Sequence, residues 1–219
     1  MEKKLLFYSS AILAALFFLA ALFMPHPQNR ISLDTSGFPT VGDHTAPVHI
    51  VLVEELACAQ CKRLHAEEMP LIKEHYIDTG KAKLTTIPLA FAEASKIPFL
   101  SLHCATSQGS VHFHQFIERF FSLPVDKLWN QTERELLTFY AKDHPDFSQS
   151  AAISCVRHTA FAPLLAEQER LVAPIFKGNQ IELPTILING RRVQKIDWKT
   201  IQTYIEEELV TSKTYVENR

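Results

Sequence analysis

Cys58 and Cys61 stand in the stretch Cys58-Ala59-Gln60-Cys61, just after the apolar run His49 to Val53 and just before a helical pattern that starts at Lys62. Two cysteines at this spacing can form, break and exchange a disulfide. At the start of a helix, unpaired backbone N–H groups and the positive end of the dipole surround the first sulfur and favour its thiolate. The second sulfur lies one turn inward, within bonding reach. The same spacing also makes half a zinc site or a structural clip, so the surrounding chain has to decide. Metal handling would use Cys58, Cys61 and His65 for zinc or copper, with His112 and His114 as further ligands. No second C-x-x-C exists and no other ligand pair has convincing spacing, so the reading commits to no metal and no cofactor. Glu54 and Glu55 read as an exposed pair, with a proton relay for Cys61 as the other use of carboxylates so close to the dithiol.

The elements that must hold the dithiol follow from pattern. Pro47 to Val53 is a short apolar run with β-branched residues, as expected of a buried central strand. Cys61, Leu64, His65, Ile72 and Tyr76 fall on one face of an amphipathic helix, which Pro70 is expected to kink and Gly80 to stop. Lys83 to Ala90 reads as a second strand, parallel to the first through a right-handed crossover. From Ala94 to about Phe176 the pattern is helical, with breaks near Gly109, Leu123 to Val125 and His144-Pro145. Phe113, Phe116, Ile117, Phe120 and Phe121 recur at helical spacing and read as core, while His112 and His114 are expected on a polar helix face. Leu183 to Val193 reads as a hairpin about Asn189-Gly190, with Pro184 at the start of its first strand. Ile196-Asp197 then caps a closing helix carrying Trp198, Ile201, Ile205 and Leu209.

Composition narrows the classes. The 219 residues carry 22 basic and 24 acidic side chains, interspersed and without a basic stripe, which argues against a nucleic-acid partner. Met1-Glu2-Lys3-Lys4 precedes an uncharged stretch from Leu5 to Met24, long enough to cross a bilayer with its positive flank in the cytoplasm. Leu19-Ala20-Ala21 is a poor cleavage site, so residues 1–24 read as an uncleaved anchor in preference to a cleaved signal. Either way Pro25 onward is exported, and residues 25–45 read as a linker. In an oxidising compartment Cys104 and Cys155, on different helices, are expected to form a structural disulfide, with free thiols the other possibility.

Taken together, these stretches resemble the DsbA-like family of thiol-disulfide oxidoreductases. The matching pieces are Pro47-Val48-His49-Ile50-Val51 leading into Cys58-Ala59-Gln60-Cys61-Lys62-Arg63-Leu64-His65, then Tyr76-Ile77-Asp78-Thr79-Gly80-Lys81. Cys104-Ala105, Gln108-Gly109 and Pro184-Thr185 to Asn189-Gly190 also match. The resemblance implies an α/β, thioredoxin-like fold with an all-helical insertion between its two halves. Its domain would comprise residues 46–93 and 177–212, with the insertion at 94–176. It implies disulfide exchange with protein substrates through Cys58 and Cys61, in the oxidase direction, and a cis Leu183-Pro184 peptide facing the dithiol and binding substrate. The implied partners are unfolded or reduced exported proteins and a quinone-linked membrane oxidase, the protein itself being a periplasmic monomer. A non-catalytic chaperone using the same groove is the other reading. Two departures touch redox tuning and substrate choice: Ala59-Gln60 replaces the Pro-His of strongly oxidising relatives, and Leu183 replaces the usual Val or Thr.

Overall fold

The computed structural model describes residues 30–127, 130–175 and 182–217. The stretch Leu5 to Met24 and the boundary near 177 lie outside the described residues. Among the described residues five strands form one sheet: β1 Thr40–Gly42, β2 Val48–Glu55, β3 Ala82–Leu89, β4 Thr185–Ile188 and β5 Arg191–Arg192. Their order is β1-β3-β2-β4-β5. The central pair β2 and β3 is parallel, with Val48 opposite Ala82 and Glu55 opposite Leu89, while β1, β4 and β5 run antiparallel to their neighbours. A helical crossover between them explains the parallel pair, and the Asn189-Gly190 turn explains the antiparallel one. Both turn residues have positive φ, 47° and 82°, the conformation a two-residue hairpin of this kind needs.

Among the described residues, eight α-helices accompany the sheet. They are α1 Ala59–Glu67, α2 Met69–Ile72, α3 Lys96–Thr106, α4 Val111–Phe121, α5 Glu133–Ala141, α6 Gln149–His158, α7 Phe161–Val172 and α8 Trp198–Glu217. α3 to α7 lie between β3 and β4 in sequence, so the helical insertion separates a β-α-β half from a β-β-α half. None of the described helices is long and apolar enough to cross a membrane.

Alternation along β2 sorts the core. Val48, Ile50 and Leu52 face Leu64, Ile72, Tyr76, Ile201, Ile205 and Leu209, so α1, α2 and α8 cover that side. Val51 and Val53 point the other way, toward Ile87, Leu89, Val172, Ile175 and Leu187. A third cluster fills the insertion with Phe113, Phe116, Phe120 and Tyr140, and it includes Leu56 and Cys61. The dithiol therefore sits at the seam between the sheet domain and the helical insertion.

Two expectations change. The helix after the dithiol breaks at Glu68 instead of kinking at Pro70; α2 restarts at Met69 with Pro70 in its first turn, where a missing N–H costs nothing, and a π-helical turn Lys73–Ile77 follows. Residues 30–45 are not a free linker. Thr40–Gly42 pairs with β3, and Ile31 and Leu33 pack against the sheet, because this polar stretch carries enough apolar side chains to cover that face.

Candidate functional site

Cys58 is the N-cap residue of α1. Its backbone is extended, and its sulfur accepts a hydrogen bond from the Cys61 backbone N–H at 3.1 Å. That bond directs one of the helix's unpaired donors at the sulfur, where it stabilises a thiolate more than a thiol. Cys58 is half-buried, Cys61 is fully buried, and the two form a disulfide across a Cα separation of 5.2 Å. Cys58 is therefore the more accessible of the two to an attacking thiolate. Ala59 and Gln60, between them, are exposed.

β4 brings the downstream loop to the same end of the sheet. Thr185 pairs with Val53 near the end of β2, so Leu183 and Pro184 continue toward the loop that carries Cys58. The Leu183-Pro184 peptide is cis, and Leu183 and Cys58 pack against the same insertion cluster.

Beneath the dithiol lies a pair that the sequence reading placed differently. Glu54 is not exposed: its relative accessibility is 0 %, and its two carboxylate oxygens lie 2.8 and 3.1 Å from Nε2 of His65. Alternation in β2 carries the reason, since Glu54 follows Ile50 and Leu52 on the face that α1 covers. His65 follows Cys61 by one helical turn, which aligns the two on the same face of α1. Its ring stacks on Phe121, with centroids 4.4 Å apart. The strand parity of position 54 and the four-residue step from Cys61 to His65 were the signals available. The Phe121 ring that covers the imidazole comes from α4, far away in sequence.

Other charged groups near the dithiol are also engaged. Lys62 donates to the carbonyls of Phe121 and Leu123 at the end of α4, where a cation suits the helix C-terminus. Arg63 donates to the Gln60 side chain at 3.2 Å and pairs with Glu67. Both cations are thus paired with groups other than the Cys58 sulfur. A cavity of about 820 Å³ opens beside α1, lined by Lys62, His65, Met69, Ile117, His114 and Phe121 among others.

His112 and His114 do not lie on a polar face. His112 is buried against Tyr140, 2.8 Å from its hydroxyl, and His114 donates from Nε2 to the Pro39 carbonyl at 3.0 Å. Burial pushes the His114 imidazole below its ordinary value, partly offset by the Pro39 carbonyl and the charges of Glu118 and Glu54. Among the described residues, no three His, Cys, Asp or Glu side chains stand together as a metal site, so Cys58, Cys61 and His65 are not assembled as ligands. Cys104 on α3 and Cys155 on α6 form a second disulfide with Cα atoms 5.8 Å apart.

Comparison with known proteins puts this geometry in context. The family model described as thioredoxin matches residues 34–207. Disulfide bond formation protein D of Bacillus subtilis (strain 168) is 25% identical over 175 residues, spanning 79% of this chain and 78% of that protein. Among solved structures, oxidised BdbD from Bacillus subtilis superposes with a TM-score of 0.73 at 23% identity, covering 84% of this chain and 99% of that one. Chlamydia trachomatis DsbA gives 0.70 at 23% identity, covering 84% and 96%. Wolbachia pipientis alpha-DsbA1 gives 0.69 at 18% identity, covering 90% and 98%. These structures share the fold.

Proposed function

This chain belongs to the thioredoxin family, and we propose that it is a DsbA-like thiol-disulfide oxidoreductase acting on exported proteins in the oxidase direction. One observation carries the reading: a half-exposed sulfur capping a helix N-terminus, disulfide-bonded to a fully buried one. The relative named for disulfide bond formation, alike over most of both chains, supports it.

In the proposed reaction a substrate thiolate attacks Cys58 Sγ. The Cys58–Cys61 bond breaks and Cys61 leaves with the electron pair. A second substrate thiolate then attacks the substrate sulfur of the mixed disulfide and expels Cys58 as a thiolate. Two substrate thiols lose two electrons and two protons, and the dithiol gains them. The Cys58 thiolate is held by the Cys61 N–H and the helix dipole. The Cys61 sulfur, being buried, must take up a proton, and His65, one turn along α1 and fixed by Glu54, is the group offered to carry it. Main-chain groups beside Leu183-Pro184 would pair with an extended substrate segment, giving sequence-tolerant recognition. A quinone-linked oxidase in the membrane would accept the electrons from the reduced dithiol. Residues 1–24 would tether the domain on the periplasmic side of the membrane, where the Cys104–Cys155 disulfide would also persist.

The test is oxidation of a reduced two-cysteine peptide by the full chain in glutathione buffer. Turnover that disappears in Cys58→Ser, in a protein free of stoichiometric zinc, supports the proposal. Activity surviving in Cys58→Ser contradicts it.

A further inference from the structure

We propose that Arg192 and Thr185 are positioning residues for substrate recognition, holding from behind the turn that presents Leu183 beside Cys58. This rests on the reading above, in which an extended substrate segment pairs with main-chain groups at Leu183-Pro184.

Strand parity separates the two arginines of β5. Arg192 stands opposite Leu187 of β4, and Arg191 opposite Ile188. Cross-strand partners share a face of the sheet, and successive residues take opposite faces. Arg191 therefore turns toward α8, where its guanidinium donates at 3.2 Å to Glu208, the carboxylate that Arg30 also holds at 2.9 and 3.1 Å. Arg192 turns the other way, to the side where Leu187 packs with Val53, Val172 and Ile175. Thr185 precedes Leu187 by one strand period and faces that side as well. The diagonal from position 192 to position 185 is within reach of a long side chain.

The hydrogen bonds at this spot run in one direction, because a guanidinium only donates. Arg192 gives one N–H to the Ile175 carbonyl at 3.2 Å and another to the Thr185 hydroxyl at 3.0 Å. The hydroxyl accepts from Arg192 and sends its single proton to the Glu182 carbonyl. Residues 182–185 thus form a turn closed by a side chain and tied through Arg192 to the helical turn that follows α7. Thr185 is buried and the Arg192 side chain is only 14% exposed, so water competes little for these bonds. The Arg192 ion pair with Glu182 is different. It spans 4.0 Å to a carboxylate side chain that is 92% exposed, where solvent screens it. The hydrogen-bond relay carries the positioning.

Leu183 packs with Cys58 against the same insertion cluster. A substrate strand that pairs with the Leu183 main chain needs that chain held at a fixed place beside the sulfur. A loose turn would have to be ordered at each binding event, at a cost in affinity. The relay orders the turn beforehand and acts on neither sulfur.

The experiment follows single turnovers of the oxidised full chain with two reductants, an extended two-cysteine peptide and dithiothreitol, which is too small to use the turn. Thr185→Val removes the hydroxyl, Thr185→Ser keeps it, and Arg192→Met removes the donors. In Thr185→Val and Arg192→Met the half-saturating peptide concentration is expected to rise roughly tenfold, the scale of a lost buried hydrogen bond. The limiting rate, the dithiothreitol rate and the glutathione equilibrium of the pair are expected to stay unchanged. Thr185→Ser and Glu182→Gln are expected to behave as the natural chain. An unchanged half-saturating concentration in Thr185→Val, or a loss that dithiothreitol shares, would overturn the positioning role. If Arg192→Met does not fold, the comparison of Thr185→Val with Thr185→Ser decides alone. Failure of the peptide to reduce the natural chain would instead overturn the underlying reading, and it is seen before any variant is compared.

Discussion

Glu54 and His65 hold a buried polar contact, and removing one partner exposes what the pair does. His65→Ala leaves a fully buried carboxylate without its imidazole, and is expected to destabilise the fold by about 3 kcal/mol, measured by urea unfolding. Glu54→Gln keeps a hydrogen-bonding side chain while removing the charge; it is expected to change the pH profile of peptide oxidation more than its plateau rate. An unchanged profile would remove His65 from the proton-carrying role. Position 60 tunes the other sulfur. Gln60 offers a neutral amide, already engaged by Arg63, so Gln60→His is expected to lower the Cys58 thiolate pKa by about one unit and make the pair more oxidising. Ultraviolet thiolate titration and the glutathione equilibrium check both, and a variant that is less oxidising contradicts the assignment. His114 supplies a pH dependence of its own. Its folded value lies below the ordinary 6.5, chiefly through burial, so its contribution is complete above 6.5 and is lost as pH falls through the lowered folded value. The midpoint of thermal unfolding of the natural protein should therefore fall on acidification through that window, and that of His114→Gln should fall less.

Among the elements, α3 and α6 are joined by the Cys104–Cys155 disulfide, which closes a loop with a sequence separation of 51. Chain entropy gives such a closure up to about 4 kcal/mol, and residual structure in the reduced unfolded chain lowers the figure. The double variant Cys104→Ser, Cys155→Ser is expected to lose stability of that order while keeping its peptide oxidation rate, since neither residue contributes to the cap at Cys58. A loss of rate with folding intact would give this disulfide a role in the chemistry. Most elements were legible in the chain because their signals are local: the β-branched run of β2, the Asn-Gly turn, the Asp197 cap whose carboxylate accepts from the Thr200 N–H at 2.9 Å. β1 was not. Thr40–Gly42 is too short for a period and is a strand only because β3 offers it an edge.

At the scale of the whole molecule, the parallel central pair, the helical insertion and the closing hairpin put Cys58 and Leu183-Pro184 at one pole and the chain entry at the other. The cysteines were readable from their spacing. Strand parity already turned Glu54 inward, but its full burial, like that of His112 and His114, is completed by side chains from distant segments, which a local pattern does not record. The fixed entry also predicts a response to acid. Burial raises the Glu208 carboxyl, but bonds from Arg30, Asn189 and Arg191 more than offset this and hold it below the ordinary 4.5. The contact of the Arg30 guanidinium with the Glu208 carboxylate is therefore complete above 4.5 and is lost as pH falls through the lowered folded value. Limited proteolysis near Arg30 should accelerate there, and should do so at neutral pH in Glu208→Gln. The central claim is that Cys58 is the sulfur that meets substrate and Cys61 the one that resolves it. Its most direct measurement is mass spectrometry of full-chain variants with one cysteine of the pair replaced and Cys104–Cys155 left oxidised, incubated with a peptide pyridyl disulfide and quenched with acid. Cys61→Ser is expected to accumulate a stable mixed disulfide at Cys58, while Cys58→Ser remains largely unmodified at Cys61. Equal labelling of the two, or preferential labelling of Cys61, would contradict the account.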